Sequence, residues 1–384
     1  MIMNIKTQGF ILLDVDVVAL NNAGKSTSTH FDNAVATKKV RKNGRIYTYV
    51  SGQAWRYWWR EALQKNFKWN LSPIIREDKI AFTDADPIKY PDDDIFGYMK
   101  AAKDFIKDKE GNTLKDKKGK EQKVDVTVTR TSPLKNSVLI SVGSVQVAEN
   151  WSSMARQEGD SVPYGKEEYS AVMKGMFSLD LFQAGTFANY NKTGFKNLPD
   201  NFKKTDDLIE IDDPFIKDKS GQPHKLIRIK REERLKRIKE TIQALKIISG
   251  GAMQTSNMGD VTPKFIVLAT TKSGNHPFSH IVKSTSISIG VEKVELNIDG
   301  LKQVLEDYKD QLVGPVFIGK RSGFMDEYEK DITEKLVNYF ITAEDLKKIT
   351  TENLENANDK PSVFYSSINN VIDLYCNYLE KIVK

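Results

Sequence analysis

Cysteine and histidine are scarce in this sequence. Its 384 residues include one cysteine, Cys376, and four histidines. A single thiol excludes a disulfide framework and a cysteine-based zinc cluster. His276 and His280 have the spacing of a helical metal-ligand pair, but Pro277 between them favours a loop. We therefore expect no bound metal and no other cofactor.

A targeting segment and a long hydrophobic run are also missing. Residues 1–20 are apolar but are interrupted by Asp14 and Asp16, and Lys6 is the only base near their start. This pattern is typical of neither a signal peptide nor a membrane span. We expect a soluble, cytoplasmic protein with no membrane partner.

What the chain does have is positive charge concentrated near its N-terminus. Lys and Arg total 58 against 52 Asp and Glu, a net charge of +6. Residues 1–70 alone carry 11 basic and 4 acidic side chains, so the remainder of the chain is slightly negative. A positive field confined to one part of a fold predicts a polyanionic partner that contacts mainly that part.

Hydrophobic periodicity predicts an α+β fold. With the polar insertions set aside, the order is strand, helix, strands, helix, strand, which is the order of the ferredoxin-like unit of RNA-recognition modules. The first strand carries Asp14 and Asp16 where the stacking aromatics of such modules are expected, so we do not expect RNA on the open sheet face. The predicted strands cover 10–20, 124–129, 137–147, 173–187, 261–270 and 280–291, and the predicted helices cover 55–67, 230–249, 301–312, 326–340, 343–350 and 361–384.

The tryptophan-rich helix carries a polar stripe that suits a phosphate backbone. Ser51 and Gln53 lie at its start, where free backbone N–H groups and the helix dipole attract anions. Arg56 is three residues after Gln53, and Arg60 is four after Arg56, so these side chains share one helix face. The stripe could also be an ordinary solvated face opposite the tryptophans. A basic loop just upstream favours the phosphate interpretation.

Gly250 and Gly251 begin a second candidate site. Glycines let a backbone approach a ligand closely, and consecutive N–H groups can form a nest for an anion. No lysine followed by serine or threonine is present here, so the segment is not a nucleotide-binding P-loop. The same glycines could simply end the preceding helix.

Evidence for catalysis is weak. Asp32, close to His30, is the only carboxylate in the basic loop over 21–46. The sequence contains no nucleophile-elbow pattern and no histidine-centred triad. We predict that the protein is not an enzyme.

Six short segments, taken in order, resemble a known family. They are the residues that leave the first strand (21–25), VSGQAWRYWWR (50–60), IFGYM (95–99), TSPLK (131–135), GGA (250–252) and GDVTPKF (259–265). The set is similar to the backbone subunit of type I CRISPR Cascade surveillance complexes, in the DevR-type autoregulator family of subtype I-B.

The resemblance implies a particular organisation of the chain. A modified RNA-recognition palm would carry a helical fingers insertion and a protruding thumb. The palm would comprise 1–69, 131–187 and 228–320, the fingers 70–130, the thumb 188–227, and a C-terminal helical segment 321–384.

The resemblance also implies the partners. Such subunits are non-catalytic, stack head to tail along one CRISPR guide RNA in the prokaryotic cytoplasm, and display it for pairing with target DNA. Their complexes also contain a guide 5′-end cap and large and small subunits. Together with the patterns above, the resemblance predicts these RNA-binding residues: Asn21, Asn22, Lys25, Lys38, Lys39, Arg41, Ser51, Gln53, Arg56, Arg60, Gly250, Gly251, Met253, Gln254, Ser256 and Asn257.

Two alternatives remain open. One is an RNA-cleaving backbone subunit that uses Asp32 and a metal, since a related type III subunit cleaves RNA with an aspartate in the loop after its first strand. The other is an unrelated RNA-binding regulator that works as a monomer.

Overall fold

The structure, a computed structural model, describes most of the chain. The residues outside the description are 1–3, 26–33, 78–79, 102, 106–112, 114–120, 122, 126, 155–159, 161, 192–195, 200–201, 289–290 and 351–359. The chain forms two compact units. The first unit comprises Met1–Asn66, Asn136–Leu179 and Lys239–Lys384, and the second unit comprises Phe67–Lys135 and Asp180–Ile238.

The described strands and helices are numbered along the chain. The strands are β1 (Lys6–Val18), β2 (Asn22–Lys25), β3 (Val35–Thr37), β4 (Lys39–Lys42), β5 (Arg45–Val50), β6 (Ile74–Glu77), β7 (Ile80–Thr83), β8 (Tyr98–Lys100), β9 (Lys103–Phe105), β10 (Lys123–Asp125), β11 (Val128–Arg130), β12 (Leu134–Asn136), β13 (Leu139–Ser141), β14 (Ala148–Met154), β15 (Val162–Asp180), β16 (Thr186–Phe187), β17 (Leu208–Lys217), β18 (Pro223–Ile229), β19 (Phe265–Thr271), β20 (Val282–Ser288), β21 (Val291–Leu296), β22 (Val316–Lys320) and β23 (Val363–Ser366). The α-helices are α1 (Gly52–Phe67), α2 (Pro91–Phe96), α3 (Arg231–Gln243), α4 (Gln254–Asn257), α5 (Ile298–Asp307), α6 (Glu329–Lys335), α7 (Ala343–Lys348) and α8 (Ile368–Ile382).

A large sheet organises the first unit. Its strands follow the order β23–β22–β19–β1–β15–β13–β5–β4. β1 pairs antiparallel with β19, and β13 pairs antiparallel with both β15 and β5. The apolar run of β1 from Phe10 to Leu13 is buried on both faces, because helices and loops cover both sides of the sheet centre. The predicted α+β class is confirmed.

The helix α1 buries the predicted tryptophan stripe. Trp55, Trp58 and Trp59 are buried together with Ala62 and Leu63. The Trp59 indole N–H donates to the carbonyl of Thr241 at 2.8 Å, so the one polar atom of this ring has a partner. The polar side of α1, which carries the two arginines, therefore faces away from the core.

The end of the chain differs from the predicted helix over 361–384. Val363–Ser366 form β23, which pairs in parallel with β22, and α8 begins only at Ile368. The run of valine, phenylalanine and tyrosine suits a strand, but it is too short to show a period. The hydroxyl of Tyr375 on α8 donates to Thr7 at 2.8 Å and lies 2.9 Å from Thr270, which ties α8 to β1 and β19.

The second unit contains short strands and a small core. The described part of 70–130 contains α2, a helix of six residues, and strand pairs such as β6–β7 and β8–β11, where the resemblance implies a helical insertion. Residues 188–227 include most of the β17–β18 hairpin, whose Leu208 and Ile227 are buried in the core of this unit. The boundaries of palm, fingers and thumb stay predictions.

An ion cluster is buried inside the second unit. The carboxylate of Asp94 has no solvent exposure. It accepts from Arg130 Nη2 at 2.5 Å, from Arg237 Nη1 at 3.1 Å and from the Gly185 backbone N–H at 3.0 Å. Both guanidiniums are themselves buried. One carboxylate thus joins three parts of this unit that are far apart in the sequence, at residues 130, 185 and 237.

Candidate nucleic-acid interface

Arg56 and Arg60 lie on the polar side of α1, and each is partly buried. Arg56 Nη1 donates to Asn136 Oδ1 at 3.0 Å. Burial, and secondly the charge of Arg60, lowers the pKa of Arg56 to about 10. Arg56 therefore stays charged at neutral pH beside a second positive charge. An anion bound between the two guanidiniums would relieve their repulsion.

The start of α1 is arranged as expected for a helix that follows a strand directly. The Ser51 hydroxyl oxygen accepts from the Ala54 backbone N–H at 3.4 Å, and the Ser51 carbonyl accepts from Trp55 N at 3.1 Å. Gln53 is exposed. Ser51, Gln53 and the two arginines thus occupy one end and one side of the same helix, as the spacing predicts.

The glycine segment packs against α1 and the end of β1. A Cβ at position 250 would overlap atoms of the Trp58 indole ring. The Ala252 backbone N–H donates to the Leu20 carbonyl at 3.0 Å. The structure therefore brings together three predicted elements: the exit of the first strand, the glycine segment and α1. Gly250 is required here for close packing of protein on protein.

Side chains of the same segment bond to neighbouring protein groups. The Gln254 amide donates to the carbonyls of Gly250 and Gly259. Asn257 Nδ2 donates to the Val17 carbonyl at 2.9 Å and to Glu168 Oε1 at 2.6 Å. The Ser256 hydroxyl, 3.1 Å from the carbonyl of Met253, likewise bonds within the segment. These hydrogen bonds set the shape of the segment. That its residues also contact RNA stays a prediction.

The segment predicted as a basic loop, whose described residues form β2, β3, β4 and the start of β5, is partly neutralised. Lys39 Nζ lies 2.5 Å from Glu167 Oε1, and both the backbone N–H and the hydroxyl of Thr37 donate to the same carboxylate. Although burial raises the pKa of Glu167, the hydrogen bonds from Lys39 and Thr37 hold it below its ordinary value. Lys39 is thus a less available cation than the sequence suggests. Arg41, on β4, is exposed.

The remaining predicted residues of this region lie around the exit of β1. The Asn21 carbonyl accepts from Lys38 N at 3.1 Å, and Asn21 Nδ2 lies 3.5 Å from the Tyr49 carbonyl. Asn22 Oδ1 accepts from Gly24 N at 2.6 Å, at the place where the pairing of β2 with β3 shifts register. The backbone of Lys25 ends β2, and its side chain lies outside the description.

Asp32 and His30 lie outside the described residues, so their prediction stays untested. Asp16 Oδ1 accepts from the Ser170 hydroxyl at 2.5 Å, consistent with a polar residue on a strand. In the part of the chain that the structure describes, no group of three or more His, Cys, Asp or Glu side chains could hold a metal ion. No helix in that part is long and apolar enough to cross a membrane.

Two residues beside the arginines were not predicted. Tyr57, 62% exposed, follows Arg56 on α1, and the helical spacing that identified the arginines would also have placed it on the polar side. Asn136, the last residue of β12, contacts Arg56 on α1. It is uncharged and distant in sequence, so no pattern could have identified it.

The profile of a family described as CRISPR-associated negative auto-regulator DevR/Csa2 matches residues 12–287. No curated protein matches the sequence. Among solved structures, the chain is similar to a chain of a "CRISPR RNA-guided surveillance complex", with 8% identity and a TM-score of 0.44 over 97% of this chain and 98% of that one. It is also similar to a chain of a "CRISPR RNA-guided surveillance complex, pre-nicking", with 11% identity and a TM-score of 0.46 over 97% and 99%.

Proposed function

Since the chain belongs to the CRISPR-associated negative auto-regulator DevR/Csa2 family, we propose that it is a non-catalytic backbone subunit of a type I CRISPR effector complex of subtype I-B. Its copies bind one guide RNA, stack head to tail along it and hold it for pairing with target DNA. A guide 5′-end cap and large and small subunits complete the complex. The observation that carries the proposal is the presence of Arg56 and Arg60, both partly buried, one turn apart on the polar side of α1.

The order of elements along the chain and the strand order of the large sheet support a ferredoxin-like palm in this proposal. Along the chain, β1, α1, β13, β15, α3 and β19 follow the βαββαβ order. In space, these four strands lie in the order β19–β1–β15–β13. Counted along the chain, β1, β13, β15 and β19 are the first to fourth strands of this unit. The sheet places β19 beside β1, and β15 between β1 and β13, which is the strand order of a ferredoxin-like unit. The proposal assigns the fingers to 70–130 and the thumb to 188–227.

Contacts with phosphates suit the proposed task, because a backbone subunit must bind guides of any sequence. Phosphate contacts fix position without reading bases. Repetition along one RNA makes each further subunit bind at a high effective concentration, so weak single contacts suffice. A head-to-tail interface that does not close produces a helical filament.

Replacing Arg56 and Arg60 together by Ala is expected to weaken guide RNA binding for every guide sequence. Each lost phosphate contact lowers the slope of log affinity against log salt by about 0.7 on a single strand. The measurement is fluorescence anisotropy of labelled RNA at several salt concentrations. The control Lys347→Ala/Lys348→Ala removes the same charge from α7 and should leave the slope unchanged. Unchanged affinity and slope in the arginine variant would contradict the proposed phosphate contacts.

Assembled complexes are expected to leave a complementary RNA uncut in Mg²⁺ or Mn²⁺. Metal-assisted cleavage usually needs more than one ligand or a positioned base. Asp32 is the only carboxylate in the sequence between Asp16 and Glu61, so it has no second carboxylate near it in the chain. Asp32→Ala should alter neither assembly nor target-DNA binding. Regularly spaced cuts in the RNA that vanish in Asp32→Ala would instead establish the RNA-cleaving alternative.

One other candidate is an RNA-binding regulator that works as a monomer, and the description of the family as a negative auto-regulator favours its regulatory role only. Size-exclusion chromatography with and without guide RNA separates the two. The backbone proposal expects a guide-dependent shift to assemblies whose mass grows with guide length. A constant mass of one chain per RNA would favour the regulator.

A further inference from the structure

The side-chain amide of Asn136 joins three groups at the start of α1. Its Nδ2 donates to the Gly52 carbonyl at 3.2 Å and to the Ser137 carbonyl at 3.0 Å. Its Oδ1 accepts from Arg56 Nη1 at 3.0 Å. Donors and acceptor of one amide thus link the first residue of α1, the residue that follows β12 and a guanidinium.

Strand pairing explains why Asn136 reaches this helix. β13 pairs antiparallel with β5, and Leu139 lies opposite Val50. Because β5 continues directly into α1, the residues just before β13 lie beside the first turn of the helix. Ser137 is fixed in turn to β15, since Ser137 N donates to the Met176 carbonyl at 2.8 Å and Met176 N donates to the Ser137 hydroxyl at 3.0 Å.

Close packing at the helix start depends on a glycine. A Cβ at position 52 would lie 3.2 Å from Asn136 Nδ2, tighter than ordinary van der Waals contact. The absence of a side chain there lets the amide reach the helix backbone. Asn136 is therefore held between the first residue of α1 and Ser137, which is itself bonded to β15, and this is the support that a precise contact needs.

The chemistry of an amide matters at this position. A carboxylate at the same distance would pair with the guanidinium and neutralise it. An amide oxygen is a neutral acceptor, so it orients Arg56 without cancelling the charge of the guanidinium. An Arg56 side chain that is already oriented loses less rotamer entropy when it binds, so the affinity for an anion is higher.

We propose that Asn136 is a positioning residue that holds Arg56 in the orientation in which it contacts a phosphate of the guide RNA. The inference rests on the proposed function of the α1 arginines. Asn136 itself makes no contact with the RNA in this proposal and acts through Arg56.

A double-mutant cycle tests whether Asn136 acts through Arg56. The probe is a fluorescein-labelled single-stranded RNA of mixed sequence, and affinity is measured at several salt concentrations. Asn136→Ala alone is expected to weaken binding roughly three- to tenfold, and to have no further effect in an Arg56→Ala background. Equal effects in both backgrounds would overturn the proposal, because a merely structural role does not depend on Arg56. Asn370→Ala on α8 is the matched control.

A second variant keeps the test valid if Asn136→Ala is unstable. Asn136→Asp retains the acceptor and adds a negative charge, so it should lower the salt slope by about 0.7, as Arg56→Ala does. A slope equal to that of the wild type would overturn the proposal. If Arg56→Ala itself leaves affinity and slope unchanged, the proposed phosphate contact fails together with this inference. If Arg56→Ala weakens binding and Asn136→Ala does not, only the inference about Asn136 fails.

Discussion

Replacing Asp94 by Ala is expected to lower the free energy of unfolding of the second unit by about 3–5 kcal/mol. Asp94 is fully buried and accepts hydrogen bonds from Arg130 and Arg237, which are also buried. Removal of the carboxylate takes this counter-charge from the buried Arg130 and leaves Arg237 with the half-exposed carboxylate of Glu233. Loss of the counter-charge of a buried guanidinium is among the most destabilising single changes known.

The measurement is guanidinium chloride denaturation combined with limited proteolysis. Cleavage sites in Asp94→Ala should concentrate in Phe67–Lys135 and Asp180–Ile238. The control is Asp212→Ala, which removes an exposed ion pair with Lys225 and should change stability by no more than about 0.5 kcal/mol. Equal stability of the two variants would show that the buried cluster does not stabilise the fold.

Replacing Gly250 by Ala is expected to lower the free energy of unfolding by about 1–3 kcal/mol, the usual effect of overpacking. The added Cβ would overlap the Trp58 indole ring, which is buried and cannot withdraw into solvent. The segment must therefore move away from α1. Because Ala252 N bonds to the Leu20 carbonyl, the same movement disturbs the end of β1.

Thermal unfolding and tryptophan fluorescence measure this effect. Gly274→Ala is the matched control, because a Cβ there would meet no atom within 4 Å. A Gly250→Ala variant that melts with the control and keeps its fluorescence spectrum would contradict the packing of this segment on α1. RNA affinity measured on the same variants shows whether the position of the segment also matters for binding.

The arginine face of α1 was predictable because its information is local. A period of 3.6 residues places Trp55 and Trp59 on one side and Arg56 and Arg60 on another, whatever the rest of the fold does. The excess of basic residues before position 70 could also be counted directly. Both observations depend only on neighbours in the chain.

The partners of the charged side chains could not be predicted in the same way. Lys39 pairs with Glu167, which is 128 positions away, and Arg56 bonds to Asn136, which is 80 positions away. Each contact exists because strands from distant parts of the chain lie side by side. The register of those strands depends on the packing of the whole sheet, and no periodic pattern records it.

The sequence by itself thus determined the α+β class, the buried and polar sides of α1 and the location of its positive charge, since helix geometry and composition suffice for these. Tertiary structure alone decided that Gly250 packs on Trp58, that β23 joins the large sheet and that Asn136 contacts Arg56. These are contacts between segments far apart in the chain. They follow from the total free energy of packing, to which each short segment contributes only a small part.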